Sequence, residues 1–284
     1  MKADHAKKIA EQAFNKLAES VEAGKSEKLT AYLKAMARFH NYSLGNAILI
    51  SFQRPDATHV AGFRTWQKLG RYVKKGEHGI AIMAPIVWRK KIIATEEQKD
   101  DDKMAVAFRT AYVFDINQTE GKLLPEFARV RGDPADYIHR LKEFISSQGI
   151  KLEYSEKIGS ADGVSCGGMI KVKKGLTAAE TFSVLVHELA HELLHRDKDK
   201  ISSNRSVREI EAEAVSFVVS EAIGLHTGTA SSDYVQIYNG DKKMLFESLE
   251  RIQKTASGIL GAVMADKTEY KVTVEGQRCT SQAA

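Results

Sequence analysis

Cysteine is nearly absent: two residues in 284, Cys166 and Cys279, stand far apart in the sequence. That excludes a disulfide framework and a cysteine-rich zinc site, and both read as ordinary buried or surface thiols. Long hydrophobic runs are missing too. The longest, such as Ala47-Ile48-Leu49-Ile50 and Val215 to Val219, fall far short of the roughly 20 residues that a bilayer span needs. The charged start, Met1-Lys2-Ala3-Asp4-His5-Ala6-Lys7-Lys8, is followed by no apolar stretch of the kind a secretory signal carries, so a cytoplasmic location away from any membrane is expected. What is present, 43% hydrophobic and 28% charged residues, is the balance of a water-soluble globular chain, and two ordinary domains are the expected organisation.

Acidic residues are also scarce in one place. Residues 1–125 hold 21 Lys and Arg against 14 Asp and Glu, a balance of +7, whereas the rest holds 21 against 23, a balance of −2. Between Arg54 and Lys91 nine basic residues face only Asp56 and Glu77. A positive field concentrated in this way points to an anionic partner.

The first part of the chain reads as helical. Ile9, Ala13, Phe14, Leu17 and Val21 mark one amphipathic helix, Leu29, Tyr32, Leu33, Met36 and Phe39 a second, and Leu44 to Phe52 a third capped near Ser43. Short apolar runs then predict strands: Val60 to Phe63, Gly79 to Ala84, Ile86 to Trp88 and Arg109 to Phe114, with a charged hairpin tip over Glu96 to Lys103. Leu123 to Pro134 lacks periodicity and reads as a linker. Beyond it, a helix over Ala135 to Ser147, strands at Lys151 to Tyr154 and Met169 to Val172 around a Gly-rich turn at Gly163 to Gly168, and further helices are expected, with a final strand at Tyr270 to Val274. The predicted class is α+β in two domains: an α+β unit over residues 1–125 and a mainly helical unit with a small sheet over 135–284.

The clearest chemistry lies in the second unit. Thr177-Ala178-Ala179-Glu180 is a capping box, opening a helix over 178–196. His187-Glu188-Leu189-Ala190-His191 lies within it. Residues four apart share a helix face about 6 Å along the axis, so His187 and His191 can aim at one zinc ion, with Glu188 beside it as general base. Such a site needs a third ligand. His195 lies about 12 Å beyond His187 on a straight helix and is better suited to a supporting or surface role. The next helix, 206–224, offers Glu209-Ile210-Glu211-Ala212-Glu213, from which Glu209 is the preferred ligand and Glu213 the acid that orients a histidine. Glu213 or Glu211 as ligand is the competing assignment. The pattern resembles the gluzincin zinc peptidases, in which a Glu is the third ligand and an acid follows at i+4. That acid is usually Asp, one methylene shorter than Glu213. The resemblance implies zinc, or manganese in its place.

In the first unit, aromatics interleave with cations, as single-stranded nucleic acid requires of the proteins that hold it. Arg38, Tyr42, Asn46, Arg54, Arg64, Trp66, Lys68, Arg71, Tyr72, Lys74 and Lys75 are the DNA-binding candidates. Trp66 and Tyr72 are the expected stacking platforms, and Phe39, Phe52 and Phe63 are expected in the core. Tyr42-Ser43-Leu44-Gly45-Asn46, Gln53-Arg54-Pro55, Ala57 to Phe63, Thr65 to Arg71 and Val73 to Ile80 resemble the N-terminal domain of ArdC-type antirestriction proteins. The likeness covers about residues 5–225 and implies sequence-independent binding of single-stranded DNA, a C-terminal zinc peptidase-like domain, and protection of incoming DNA. The substrate would be an unidentified protein, such as a host defence factor. The alternative is a DNA-binding protein whose metal site is structural or idle.

Overall fold

The computed structural model describes residues 3–23, 26–88, 105–122, 135–156, 158, 161–195, 205–225 and 241–264. The expected hairpin tip over 96–103, the linker over 123–134, the strand over 270–274 and Cys279 lie outside them. No helix among the described residues is long and apolar enough to cross a membrane.

Three helices open the chain: α1 (Ala3–Glu22), α2 (Ser26–Arg38) and α3 (Leu44–Gln53), the last started by the Ser43 hydroxyl, which accepts from the Asn46 N–H. Strand β1 (Val60–Gly62) runs directly into a short helix, α4 (Phe63–Lys68), and β2 (Arg71–Val73) follows. Strands β3 (Ile80–Trp88) and β4 (Ala105–Asp115) pair antiparallel, with Ile80 opposite Val113, and β1 joins the other side of β4. β5 (Thr119–Gly121) pairs with β2 in a separate ribbon. The free edge of β3 is closed by two amides from α3. Asn46 donates to Met83 O and accepts from Met83 N, both at 2.9 Å, and Gln53 does the same at Ala81 at 2.8 and 2.9 Å. These side chains satisfy strand groups that would otherwise recruit another chain.

The second part comprises α5 (Ala135–Ser147), β6 (Lys151–Ser155), β7 (Gly163–Ser165), β8 (Met169–Lys173), α6 (Ala178–His195), α7 (Arg205–Ala222) and α8 (Lys242–Val263). β6 lies parallel to β8 and β7 antiparallel to it, so β7 is an edge strand. The α+β class with a mainly helical second part is as expected. The two parts nevertheless share an interior. Leu29, Leu33 and Met36 of α2 belong to the same buried cluster as Phe182, Leu185, Val215, Phe217, Leu249 and Ile252, and α2 packs on α7. A smaller cluster joins Phe39, Ala47 and Ile50 to Ile80, Ile82 and Val113 on one face of the β1-β4-β3 sheet.

Candidate metal centre and nucleic-acid interface

Helix α6 begins with the predicted capping box. The Thr177 N–H donates to Glu180 Oε2 at 2.8 Å, and the Glu180 N–H donates to Thr177 Oγ1 at 3.3 Å. Phe182, Leu185, Val186, Leu189 and Ala190 are buried in the shared core, which turns His187 and His191 toward α7. Their Nε2 atoms lie 3.1 Å apart. Glu209 Oε2 lies 3.7 Å from His187 Nε2 and 3.4 Å from His191 Nε2. These three side chains present ligand atoms within 4.8 Å of one another, a group able to hold a divalent metal ion.

The two other acids of α7 take different directions. Glu213 Oε2 lies 3.3 Å from His187 Nδ1, the ring nitrogen turned away from the centre. Glu211 is buried, ion-paired with Arg251 of α8, and 3.5 Å from His195 Nε2. It faces away from the metal-ligand group, so the assignment of Glu211 as ligand is corrected. His195, for which a surface role stood open, is also in the interior.

Glu188 is only 8% exposed. Burial pushes its carboxyl above the usual range, with Glu209 and Glu192 adding to the rise, against His187 and a hydrogen bond from the Ser165 backbone. Burial alone would lower His187, but Glu213, Glu188 and Glu209 outweigh it and hold its proton more tightly than usual. His191 moves the other way, lowered by burial and by His187. The hydrogen bond to His187 lowers Glu213.

Edge strand β7 passes over Glu188 at close range. A Cβ on Gly163 would lie 2.6 Å from Val184 Cγ1 and 2.8 Å from Glu188 Cγ and Oε1, so only glycine fits. The turn after β7 is tied down by Glu192, which accepts from Ser165 Oγ at 2.6 Å, Gly167 N at 2.8 Å and Gly168 N at 2.6 Å. Sequence reading missed Glu192; its signal was a second acid at i+4 from Glu188, aimed at a glycine-rich turn. The centre opens into a cavity of about 840 Å³ between β7 and α7.

The structure sorts the DNA-binding candidates sharply. Trp66 is 2% exposed and donates from Nε1 to Phe114 O at 2.9 Å, so it is a core residue and not a platform. Arg71 is buried, with its guanidinium bonded to Thr119 Oγ1, Thr119 O and Lys122 O, where it fastens β2 to β5. Asn46 closes the β3 edge. These three are corrected from DNA contacts to structural residues, since their polar groups are already spent inside the protein. Tyr42 donates to Val60 O, Arg38 to Ala57 O, and Arg54 pairs with Asp56 and Glu77. Arg64, Lys68, Tyr72, Lys74 and Lys75 are exposed as expected.

Three rings that sequence reading did not select stand outward. Phe63, expected in the core, is 48% exposed, as are Phe108 at 55% and Tyr112 at 40%. Phe52 is exposed as well, while Phe39 is buried as expected. Phe108, Tyr112 and Phe114 alternate along β4 and so share one face, and Phe63 meets Phe114 edge-on at 6.5 Å. The opposite face carries Ala111 and Val113, which lie against the core. Gly79 admits the rings: a Cβ there would lie 2.9 Å from Tyr112 Cβ and 3.1 Å from Phe114 Cζ.

Comparison with known proteins places this arrangement. Residues 4–114 match the model of the N-terminal domain of anti-restriction factor ArdC. Two crystal structures of the antirestriction ArdC protein from plasmid R388 superpose on nearly the whole chain. The metal-free form aligns at a TM-score of 0.54 and 20% identity over 90% of this chain and 98% of that one, and the Mn(II)-bound form at 0.55 and 22% over 92% and 99%. Residues 4–114 are thus similar to the ArdC N-terminal domain, and the chain as a whole shares the fold of the R388 protein. The chain is also 27% identical, over 80% of its length, to the uncharacterized protein pXO2-81 of Bacillus anthracis, and spans only 46% of that longer protein.

Proposed function

We propose that this protein is of the ArdC type and serves antirestriction by two linked activities: it binds single-stranded DNA without sequence preference, and it hydrolyses a peptide bond of a bound protein at a zinc centre, protecting incoming DNA from host defence. The observation that carries the hydrolytic reading is the convergence of His187, His191 and Glu209 with the buried Glu188 carboxylate beside them. Two imidazoles and one carboxylate are a donor set that suits zinc with an open coordination place, and manganese, found in the R388 relative, is the alternative ion. Bound there, the metal would polarise the scissile carbonyl and acidify the attacking water.

The protein's own groups do the rest. Glu188 takes the proton of the attacking water and delivers it to the leaving amine, a task suited by the upward push that burial gives its carboxyl. Glu213 holds the Nδ1–H of His187, which fixes the tautomer that points Nε2 at the centre. Wild type and Glu188→Gln compared in cells by quantitative proteomics test this reading. A protein lost only in the presence of wild type supports it, and identical proteomes with full protection by the variant refute it in favour of a DNA coat with an idle metal site.

The nucleic-acid reading is supported by the outward rings Phe63, Phe108 and Tyr112, with exposed Arg64 and Lys68 on α4 and Tyr72, Lys74 and Lys75 at β2. Each ring that stacks on a base contributes about 1–3 kcal/mol. Phe63→Ala and Tyr112→Ala should each weaken oligo(dT) binding in fluorescence anisotropy by that amount. Charge reversal at Lys74 and Lys75 should flatten the salt dependence. Unchanged affinity in both ring variants would move the interface elsewhere.

A further inference from the structure

Two arginines line the metal-site cavity and have no part in the hydrolytic chemistry. Arg205 and Arg208, one helical turn apart at the described start of α7, border it together with His187, His191 and Glu209. Arg208 Nε is buried and has no hydrogen-bond partner, and among the described residues neither guanidinium forms an ion pair. The acids nearby are already engaged. Glu209 faces the histidines, Glu213 holds His187, Glu192 holds the turn after β7, and Glu211 is paired with Arg251.

A guanidinium is always charged and presents five N–H donors in a fork that matches a carboxylate. Its placement here does not help the helix. Cations at the start of a helix oppose the dipole, and no acid stands in the first turn of α7 to offset them. An anion entering the cavity would offset that cost and give the buried Arg208 Nε a partner.

We infer that Arg208, supported by Arg205, is the specificity element of this cleft and holds a carboxylate of the peptide substrate, from an acidic side chain or from a free C-terminus. The inference rests on the hydrolytic reading for its substrate but, for its chemistry, on two guanidinia that are unpaired among the described residues. The test is fluorescence anisotropy on zinc-loaded full-length Glu188→Gln protein with three labelled peptide pools. One carries an internal Glu and an amidated end, one a Gln and a free end, and one a Gln and an amidated end.

A pool with a carboxylate should bind at least about tenfold more tightly than the uncharged pool, and which of the two does so identifies the source. Adding Arg208→Gln should erase that preference and leave the uncharged pool unaffected. Equal affinity for all three pools, absence of binding by any, or a preference that survives Arg208→Gln overturns the inference. Cleavage of the same pools by the wild type is scored separately. A carboxylate preference without any cleavage retires the hydrolytic reading and leaves Arg208 as a carboxylate site.

Discussion

Gly163→Ala places one methyl group where the structure has no room, and its consequences can be followed atom by atom. The new Cβ would sit 2.6 Å from Val184 Cγ1 and 2.8 Å from both Cγ and Oε1 of Glu188. Val184 is β-branched on a helix and has one favoured rotamer, so it yields little. Two reliefs are left. If β7 lifts away, the three pairs it makes with β8, from Gly163 opposite Val172 to Ser165 opposite Ile170, are disturbed, and overpacking of this kind costs about 1–3 kcal/mol. If Glu188 swings aside, stability changes less, but the base of the proposed reaction leaves its post, at a cost of about 10²- to 10⁴-fold in rate. Urea denaturation reads the first, peptide turnover the second, and metal content by elemental analysis should stay at the wild-type value in both. A Gly163→Ala protein with wild-type stability and wild-type turnover would refute the close passage of β7 over Glu188.

Trp66→Phe removes the hydrogen bond to Phe114 O and leaves space beside a side chain that is 2% exposed, so it should cost about 1–3 kcal/mol in a urea melt while oligo(dT) affinity stays at the wild-type value. Reduced affinity at full stability would return Trp66 to the interface. His195 is held at about 4, below its ordinary 6.5, by burial and by the neighbouring positive groups His191, Arg208 and Arg251. The folded protein therefore keeps it neutral, and its contribution is complete above pH 6.5 and lost as the pH falls toward 4. The metal-free protein should lose about 1–2 kcal/mol over that window from this residue, a figure reduced for solvent screening, and His195→Gln should flatten that slope in urea midpoints. An unchanged slope would remove His195 from the acid response.

The metal group was legible because its geometry is local. A capping box, a helical apolar face and two histidines at i and i+4 lie within 15 residues of chain, and helix periodicity alone aims the rings. The partner helix was legible for the same reason, although spacing could not tell which of three glutamates points inward. That choice depends on Arg251, 40 residues beyond Glu211, which draws the middle acid into an ion pair. The exposure of the candidate nucleic-acid contacts was misread on the same principle in reverse. Composition cannot say that Trp66 turns toward Phe114 or that Arg71 finds Thr119 and Lys122, because those partners arrive from distant strands. The alternation of Phe108, Tyr112 and Phe114 against Ala111 and Val113 did carry the signal, and period-two reading of that strand recovers it. β7 escaped notice because three residues ending a glycine-rich approach have no periodicity to read.

The seating of α2 on α7 has a further consequence. Leu29, Leu33 and Met36 complete an interior that α6 and α7 begin, so cutting the chain between the two halves would not free a self-sufficient N-terminal unit. It would wet an apolar flank on each fragment. The first part is thereby bolted to the helix that carries Glu209, and in the proposed function a protein caught beside bound DNA would meet the cleft at a set distance and angle.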